Sequence, residues 1–376
     1  MDASPVFNIL WIVSTAAYAA GILFIAFGLL KLKPSQNKRL YDISVVVAAR
    51  NEEKHIGDVL TALIGQDYPK ERYEIIVVDD ASTDRTAQIV AQFEKDSPST
   101  RIRLLHAKDR QRVASPKKNA LHLGISRATG EIIALTDADC RPPATWLRTL
   151  VACFEPEVGL VIGFSPYELP KLKSPFDYFL ALDALALATI AAGTTALGFP
   201  ATCNGRNLSY RKSVYQQVGG FDKISRFVSG DDDLFLRLVV NRTSWRVHYA
   251  MDSRIVVPTY LLDSGAKFFH QRIRHASKGF HYGIKMTFTL SALFLYFVLL
   301  FLGLPAALAI PAISAAVICS LLIKIFADFI LLVIFAKRMD RLRYLKAYPL
   351  VALFHIPYVV VFAALGQLVR FHWKRS

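Results

Sequence analysis

The chain has 376 residues, 53% of them hydrophobic and 20% charged, with a formal net charge of +15. A mean hydropathy of +0.33 excludes an ordinary soluble protein and brings a membrane into consideration. Cys140, Cys153, Cys203 and Cys319 are scattered without metal-ligand spacing and read as reduced thiols, one of them in the membrane.

From Ala3 to Leu30 no residue is charged, a stretch longer than the ~20 apolar residues that a spanning helix needs. A signal peptide would carry a basic start and a small-residue cleavage site. Here Asp2 is the one early charge and bulky "FGLLKLK" closes the stretch, so a retained transmembrane helix is expected over 5–31. The basic "KLKPSQNKR" that follows favours the cytoplasmic side, which puts the N-terminus outside and the central region inside.

The region 38–262 reads as α/β. "DISVVVAAR" is a continuous β-branched run, as expected of a strand buried on both faces. "NEEKHIGDVLTALIGQ" has helical period with acids in its expected first turn. "YEIIVVDDAS" is the next strand and "STDRTAQIVAQFEK" a capped helix, and "RIRLLHA" and "GEIIALTDADC" continue the alternation. Strands separated by single helices imply a parallel sheet that binds ligands at the carboxyl ends of its strands. Two acidic stretches, Asp79–Asp80 and Asp137–Asp139, fall at such ends.

"SGDDDLFLRL" sets Asp231, Asp232 and Asp233 side by side before an apolar run. One Asp at this place suffices to cap a helix, where free N–H groups and the helix dipole attract negative charge. Three suggest, as the second reading, a charge held for chemistry.

Further on, "KFFHQRIRHASKGFHYG" has the pattern of an amphipathic helix at a membrane surface, expected over 263–284. Three hydrophobic segments follow, near 286–304, 312–336 and 347–369. Lys324 and Asp328 lie four apart in the second and can pair on one helix face. "KRMDRLRYLK" precedes the last segment and "RFHWKRS" follows it. Three full crossings would leave that basic tail outside, so either the last segment is re-entrant or interfacial, or the positive-inside rule fails there. Much of the basic excess sits beside these segments, where anionic lipid headgroups are a simpler partner than nucleic acid, and no nucleic-acid binding is expected.

"VVVAARNEE", "IIVVDDASTD", "LTDADC" and "SGDDDLFLRL", in this order, resemble family 2 glycosyltransferases, inverting enzymes with a GT-A fold. The resemblance covers roughly residues 40–280, and "QRIRH" looks like the Gln-x-x-Arg-Trp motif of membrane-embedded members, with His275 where those have Trp. It implies a Rossmann-like, mostly parallel catalytic domain, flanked here by transmembrane helices and cytoplasmic in a bacterial inner membrane. It also implies a nucleotide-diphospho-sugar donor, expected to be a UDP-sugar, and a lipid or saccharide acceptor. A divalent cation, Mg2+ or Mn2+, held by a carboxylate and the diphosphate, would neutralise the leaving group.

By resemblance, Asp139 is the metal ligand and Asp137 lies near the ribose or donor sugar. Asp79 and Asp80 face base and ribose, with Arg50, Asn51, Glu52 and Lys117 lining the donor pocket. Asn51 also reads as a helix cap with Glu52 in the first turn. Asp231 is the expected general base and Asp232 the alternative, because Gly230 stands where the family has Glu. Crowding by the neighbouring aspartates would raise one pKa, and the helix N-terminus opposes that shift. Gln271, Arg272 and Arg274 would close over diphosphate and acceptor. Gly205 and Asn207 would sit close to the transferred sugar and His275 on the acceptor side. "ALALATIAAGTTALG" is apolar enough to span, but one crossing there would separate Asp139 from Asp231, so a helix within the domain or resting on the bilayer is expected. Two alternatives remain: a processive synthase that exports its polymer, and a catalytically inactive nucleotide-sugar-binding partner subunit.

Overall fold

A computed structural model describes residues 4–35, 37–107, 115–169, 171–262, 264–276 and 283–368. Part of the expected 263–284 helix (residues 277–282) and the basic tail beyond 368 lie outside the described residues. An apolar helix, α1 (Ser4–Lys31), leads into a sheet domain. There β1 (Ile43–Ala49), α2 (Ile56–Ile64), β2 (Tyr73–Asp79), α3 (Thr86–Asp96), β3 (Arg101–His106), α4 (Pro116–Arg127) and β4 (Ile132–Leu135) alternate. Next come α5 (Trp146–Ala152), β5 (Val158–Ile162), β6 (Tyr167–Leu169), α6 (Pro175–Ala196), β7 (Leu208–Arg211), α7 (Lys212–Gln217), α8 (Asp233–Arg242), β8 (Arg246–Tyr249) and β9 (Thr259–Tyr260). The chain closes with α9 (Gly265–Ala276), α10 (Ile284–Ala309), α11 (Pro311–Arg338) and α12 (Tyr348–Leu368).

Seven strands form one sheet in the order β3-β2-β1-β4-β7-β5-β8, and β6 pairs with β9 in a second, two-stranded sheet. The β3, β2, β1 and β4 neighbours run parallel; β7 is antiparallel to both β4 and β5. This is the mostly parallel α/β sheet anticipated from the sequence. The β-branched runs of β1 and β2 can be buried because helices cover both faces. On one face Val45, Val47, Ile75 and Val77 pack with α2 and α5 through Leu60, Leu63, Trp146 and Leu150. On the other, Val46, Ile76 and Val78 belong to a core that runs through α4, α6 and α8 into the apolar helices α1, α10 and α11.

Five helices are long and apolar enough to cross a membrane: α1, α6, α10, α11 and a stretch that includes α12. They are not equivalent. In α6, 61% of the most apolar window is buried inside the protein, against 17% to 33% in the other four. Close approach explains part of that burial, since a Cβ on Gly193 of α6 would collide with Ile25 of α1. As anticipated, α6 does not carry the chain across: β7, which follows it, pairs with β4 and β5, which precede it. Lys324 and Asp328 do pair, at 2.9 Å, and Tyr18 of α1 donates to the same carboxylate at 2.6 Å.

Two local expectations are corrected. The helix after β1 begins at Ile56, so Glu52 and Glu53 precede it. Asn51 does not cap it: with φ 55 this residue turns its side chain to Thr83, whose N–H donates to Oδ1 at 2.8 Å. The link ties the loop after β1 to the loop after β2.

Candidate active site

The carboxyl ends of β1, β2 and β4 and the N-termini of α4 and α8 meet at one place. Ser115 caps α4, accepting from Lys118 N–H, and Pro116 opens the helix. The next two lysines then diverge. Lys118 is fully buried and donates to the carbonyls of Ile224 and Phe227 at 2.8 and 2.6 Å, pinning the loop before α8. Lys117 points to the acids: its Nζ donates to Asp137 Oδ1 at 2.7 Å and lies 3.4 Å from Asp231 Oδ2. Burial opposes its charge, but Asp137 and Asp231 hold its pKa well above the ordinary value.

The three adjacent aspartates separate by role. Asp232 caps α8, its Oδ1 accepting from Asp233 N–H at 2.7 Å, and its Oδ2 accepts from Gly205 N–H at 3.3 Å. Asp233 is buried and accepts from Leu234 N–H at 2.8 Å. Asp231 turns towards Lys117, so a cation balances the carboxylate that the sequence expected to be crowded by its neighbours. Gly205 approaches the same group: a Cβ there would lie 3.5 Å from Asp231 Oδ2.

On the other side of Asp137, burial and then the Asp137 charge raise the pKa of Asp139, against Arg206 and Lys117. Glu52 is pushed up to about 7, first by burial and then by Asp139, Asp137 and Asp84, with Lys267 of α9 pulling down. At Asp139 and Glu52, burial and the neighbouring acids outweigh the nearby cations. Hard oxygen donors short of positive charge suit Mg2+ or Mn2+. No group of three His, Cys, Asp or Glu placed to hold an ion occurs among the described residues. The donor set therefore fits a cation held by one or two carboxylates and completed by substrate phosphates.

Asp79 and Asp80 are buried at the end of β2. Asp79 accepts from Ser82 N–H at 3.2 Å and faces His106 Nδ1 at 3.4 Å, while Asp80 lies 3.8 Å from Arg50. Two side chains here escaped the sequence reading. His106 is one. Arg206 is the other: it donates to Ser165 O at 3.3 Å and sits 4.6 Å over the Tyr167 ring. Burial opposes its charge, yet Tyr167, Cys140, Asp139 and Asp137 hold its pKa above the ordinary value. An Arg next to Gly205 in a segment already read as site-lining was the available signal.

Three expected contacts look different in three dimensions. Asn207 is 1% exposed; its amide donates to the carbonyls of Phe164 and Ile255 at 3.0 and 2.9 Å and accepts from Trp146 Nε1 at 3.0 Å. These hydrogen bonds, made inside the core, join the loop after β5, the turn before β9 and α5. Arg272 turns away from the acids into an ion pair with Asp183 of α6 and covers the Phe268 ring. Gln271 donates to Tyr167 hydroxyl at 2.8 Å, so α9 reaches the site through the aromatic ring under Arg206. Arg274 is half-buried and His275 exposed in the last turn of α9.

The chain belongs to glycosyltransferase family 2: the glycosyl transferase family 2 model matches residues 44–176, and the glycosyl transferase family group 2 model matches residues 132–365. A probable glycosyltransferase of Bacillus subtilis, YdaM, is 29% identical over 204 residues, 54% of this chain and 47% of its own length. A beta-monoglucosyldiacylglycerol synthase of Synechocystis is 34% identical over 245 residues, 63% of this chain and 48% of that one. The chain thus spans about half the length of the curated relatives it matches. The mannosyltransferase PcManGT of Pyrobaculum calidifontis, solved with GDP-Man and Mn2+, superposes with a TM-score of 0.56 at 22% identity, over 96% of this chain and 99% of that one. The likeness establishes the shared GT-A fold.

Proposed function

We propose that the chain transfers a sugar, with inversion, from a nucleotide-diphospho-sugar to a membrane lipid or a growing saccharide. The observation that carries this reading is the double contact of Lys117, which brings the acids after β4 and the start of α8 into one site. Asp79, Asp80, Arg50, Asn51 and Glu52 line the nucleotide side, and Arg206 and Lys117 offer positive charge to the diphosphate. Asp139, with Asp137 beside it, would hold a divalent cation, which when bound supplies Lewis-acid stabilisation of the leaving phosphate. Asp231 takes the proton from the acceptor hydroxyl as it attacks the anomeric carbon. Inversion follows from a single displacement in which the acceptor approaches opposite the leaving nucleotide. Gly205 keeps the space beside Asp231 free for the acceptor. Lipid acceptors gain support from the glycolipid synthase among the relatives and from the apolar helices against the domain. The basic residues that follow α1 support a cytoplasmic catalytic domain.

The test is donor turnover by the detergent-solubilised chain across a panel of nucleotide sugars, with and without a lipid extract as acceptor. Metal-dependent turnover of one donor, accelerated by the extract, is the expected result. No turnover of any donor, with intact nucleotide binding, would favour the inactive partner subunit.

A further inference from the structure

The last apolar helix, α12, belongs to a stretch that meets the length and composition of a span. Its two ends nevertheless lie on the same side of the molecule. At its start, the segment that connects α11 to α12 is held to the sheet domain: Arg341 pairs with Glu168 of β6 at 3.1 Å, and Arg343 pairs with the same carboxylate. Arg338, just before, donates to the carbonyls of Leu29 and Leu32 at the domain end of α1, both at 2.6 Å. At its other end, Gln367 Nε2 donates to Ala276 O, the last residue of α9, at 2.7 Å. Phe362 packs against Phe269 of that helix at 5.2 Å. Because α9 follows the sheet directly and its Gln271 is bonded to Tyr167 of β6, it too lies at the domain. Contrast α10 and α11, which do reach the far end of α1: a Cβ on Gly303 would collide with Trp11, and Ala312 O accepts from Asn8 at 3.3 Å.

Along α12 the polar side chains turn inward and find partners. His355 Nδ1 is 2.7 Å from Lys324 Nζ, and Tyr358 hydroxyl donates to Asp183 Oδ1 at 3.1 Å. Leu350, Leu353, Phe354, Val361 and Leu368 remain exposed on the outside. A helix satisfies its own backbone and so can lie in hydrocarbon without crossing it.

We propose that α12 does not span the membrane. It lies in the leaflet next to the catalytic domain, and its outer face is an interaction surface for the acyl chains of that leaflet. Its inner face clamps α9 through Asp183, which is shared by Tyr358 of α12 and Arg272 of α9. The crossings are then α1, α10 and α11, since β7 after α6 pairs with β4 and β5 before it. Three crossings return the described end of α12 to the side of the basic segment that follows α1. Nothing in this inference depends on the transferase reading.

The experiment uses the full chain in sealed vesicles, with one epitope inserted at Pro98 in the catalytic domain and a second after Ser376. Added protease is expected to remove both epitopes together, or to spare both, in vesicles of either orientation. Removal of one with protection of the other would overturn the proposal. A second measurement covers the case where an insertion disturbs folding. With Ala276→Cys and Gln367→Cys in one chain, a short bis-maleimide is expected to join the two, and neither single variant to show that product. A spanning α12 would hold these positions about 30 Å apart, across the bilayer core, and the absence of the product would overturn the proposal as well.

Discussion

Asp231, Asp232 and Asp233 differ in what their carboxylates touch, and that difference makes sharp predictions. Asp231→Asn keeps shape and removes the proton acceptor, so transfer should fall by roughly 10²–10⁴-fold while nucleotide binding survives. Steady-state transfer and nucleotide titration check the two halves. Asp232 accepts from two backbone N–H groups; Asp232→Ala should instead cost about 1 kcal/mol of stability, read from thermal unfolding. If Asp232→Asn proves the dead variant, the base is Asp232. Asp139→Ala should abolish donor turnover and weaken metal-dependent nucleotide binding, and undiminished activity in excess chelator would remove the metal role. Glu52, pushed up to about 7, gives a pH prediction. An acid whose folded pKa is raised favours folding below its unfolded value and loses that contribution as pH rises through the folded value. Ligand-free Glu52→Gln should therefore unfold roughly 2–4 °C above the wild type at pH 8, with the difference shrinking towards pH 5. The acids at the strand ends were legible in the sequence because their spacing sits on the strand pattern. Asn207 and Arg272 were not, because direction decides their roles: one residue type serves equally in a site or a core until its partners are fixed.

Among the elements, α4, α8 and α9 do the positioning. In α4, adjacent Lys117 and Lys118 leave the helix in different directions, one to the acids and one to the loop before α8. In α9, the buried Arg272–Asp183 pair fixes which face turns inward. Removing one partner leaves an uncompensated buried charge, so Asp183→Asn should cost about 3 kcal/mol or more, whereas Arg272→Met with Asp183→Leu should recover much of the loss. Thermal unfolding of the three variants in detergent checks the ordering. The amphipathic pattern of α9 was plain from sequence, since period alone creates it. The start of α2 was not: Asn51 and Glu52 have the composition of a helix N-terminus, but the hydrogen bond from Thr83 and a positive φ bind them to the loop after β2.

At the scale of the whole molecule, one core joins the sheet to the apolar helices, which argues that catalytic domain and membrane helices fold and act as one body. The basic flanks predict that an impermeant label reaches a tag at Met1 from outside intact cells and does not reach the epitope at Pro98. The reverse labelling would invert the molecule. The sequence by itself determined the alternation of strands and helices, the acidic stretches at the strand ends and the presence of apolar helices. All of these are carried by local periodicity and composition, which every window of the chain displays. Tertiary structure alone decided that α6 packs against α1, that Asp231 lies 3.4 Å from Lys117, and that Arg206 joins the acids. It also decided that both ends of α12 return to the domain. The physical reason is common to all four: burial, ion pairing and helix direction depend on groups far apart in sequence, and hydropathy is the same whether an apolar helix meets lipid or protein.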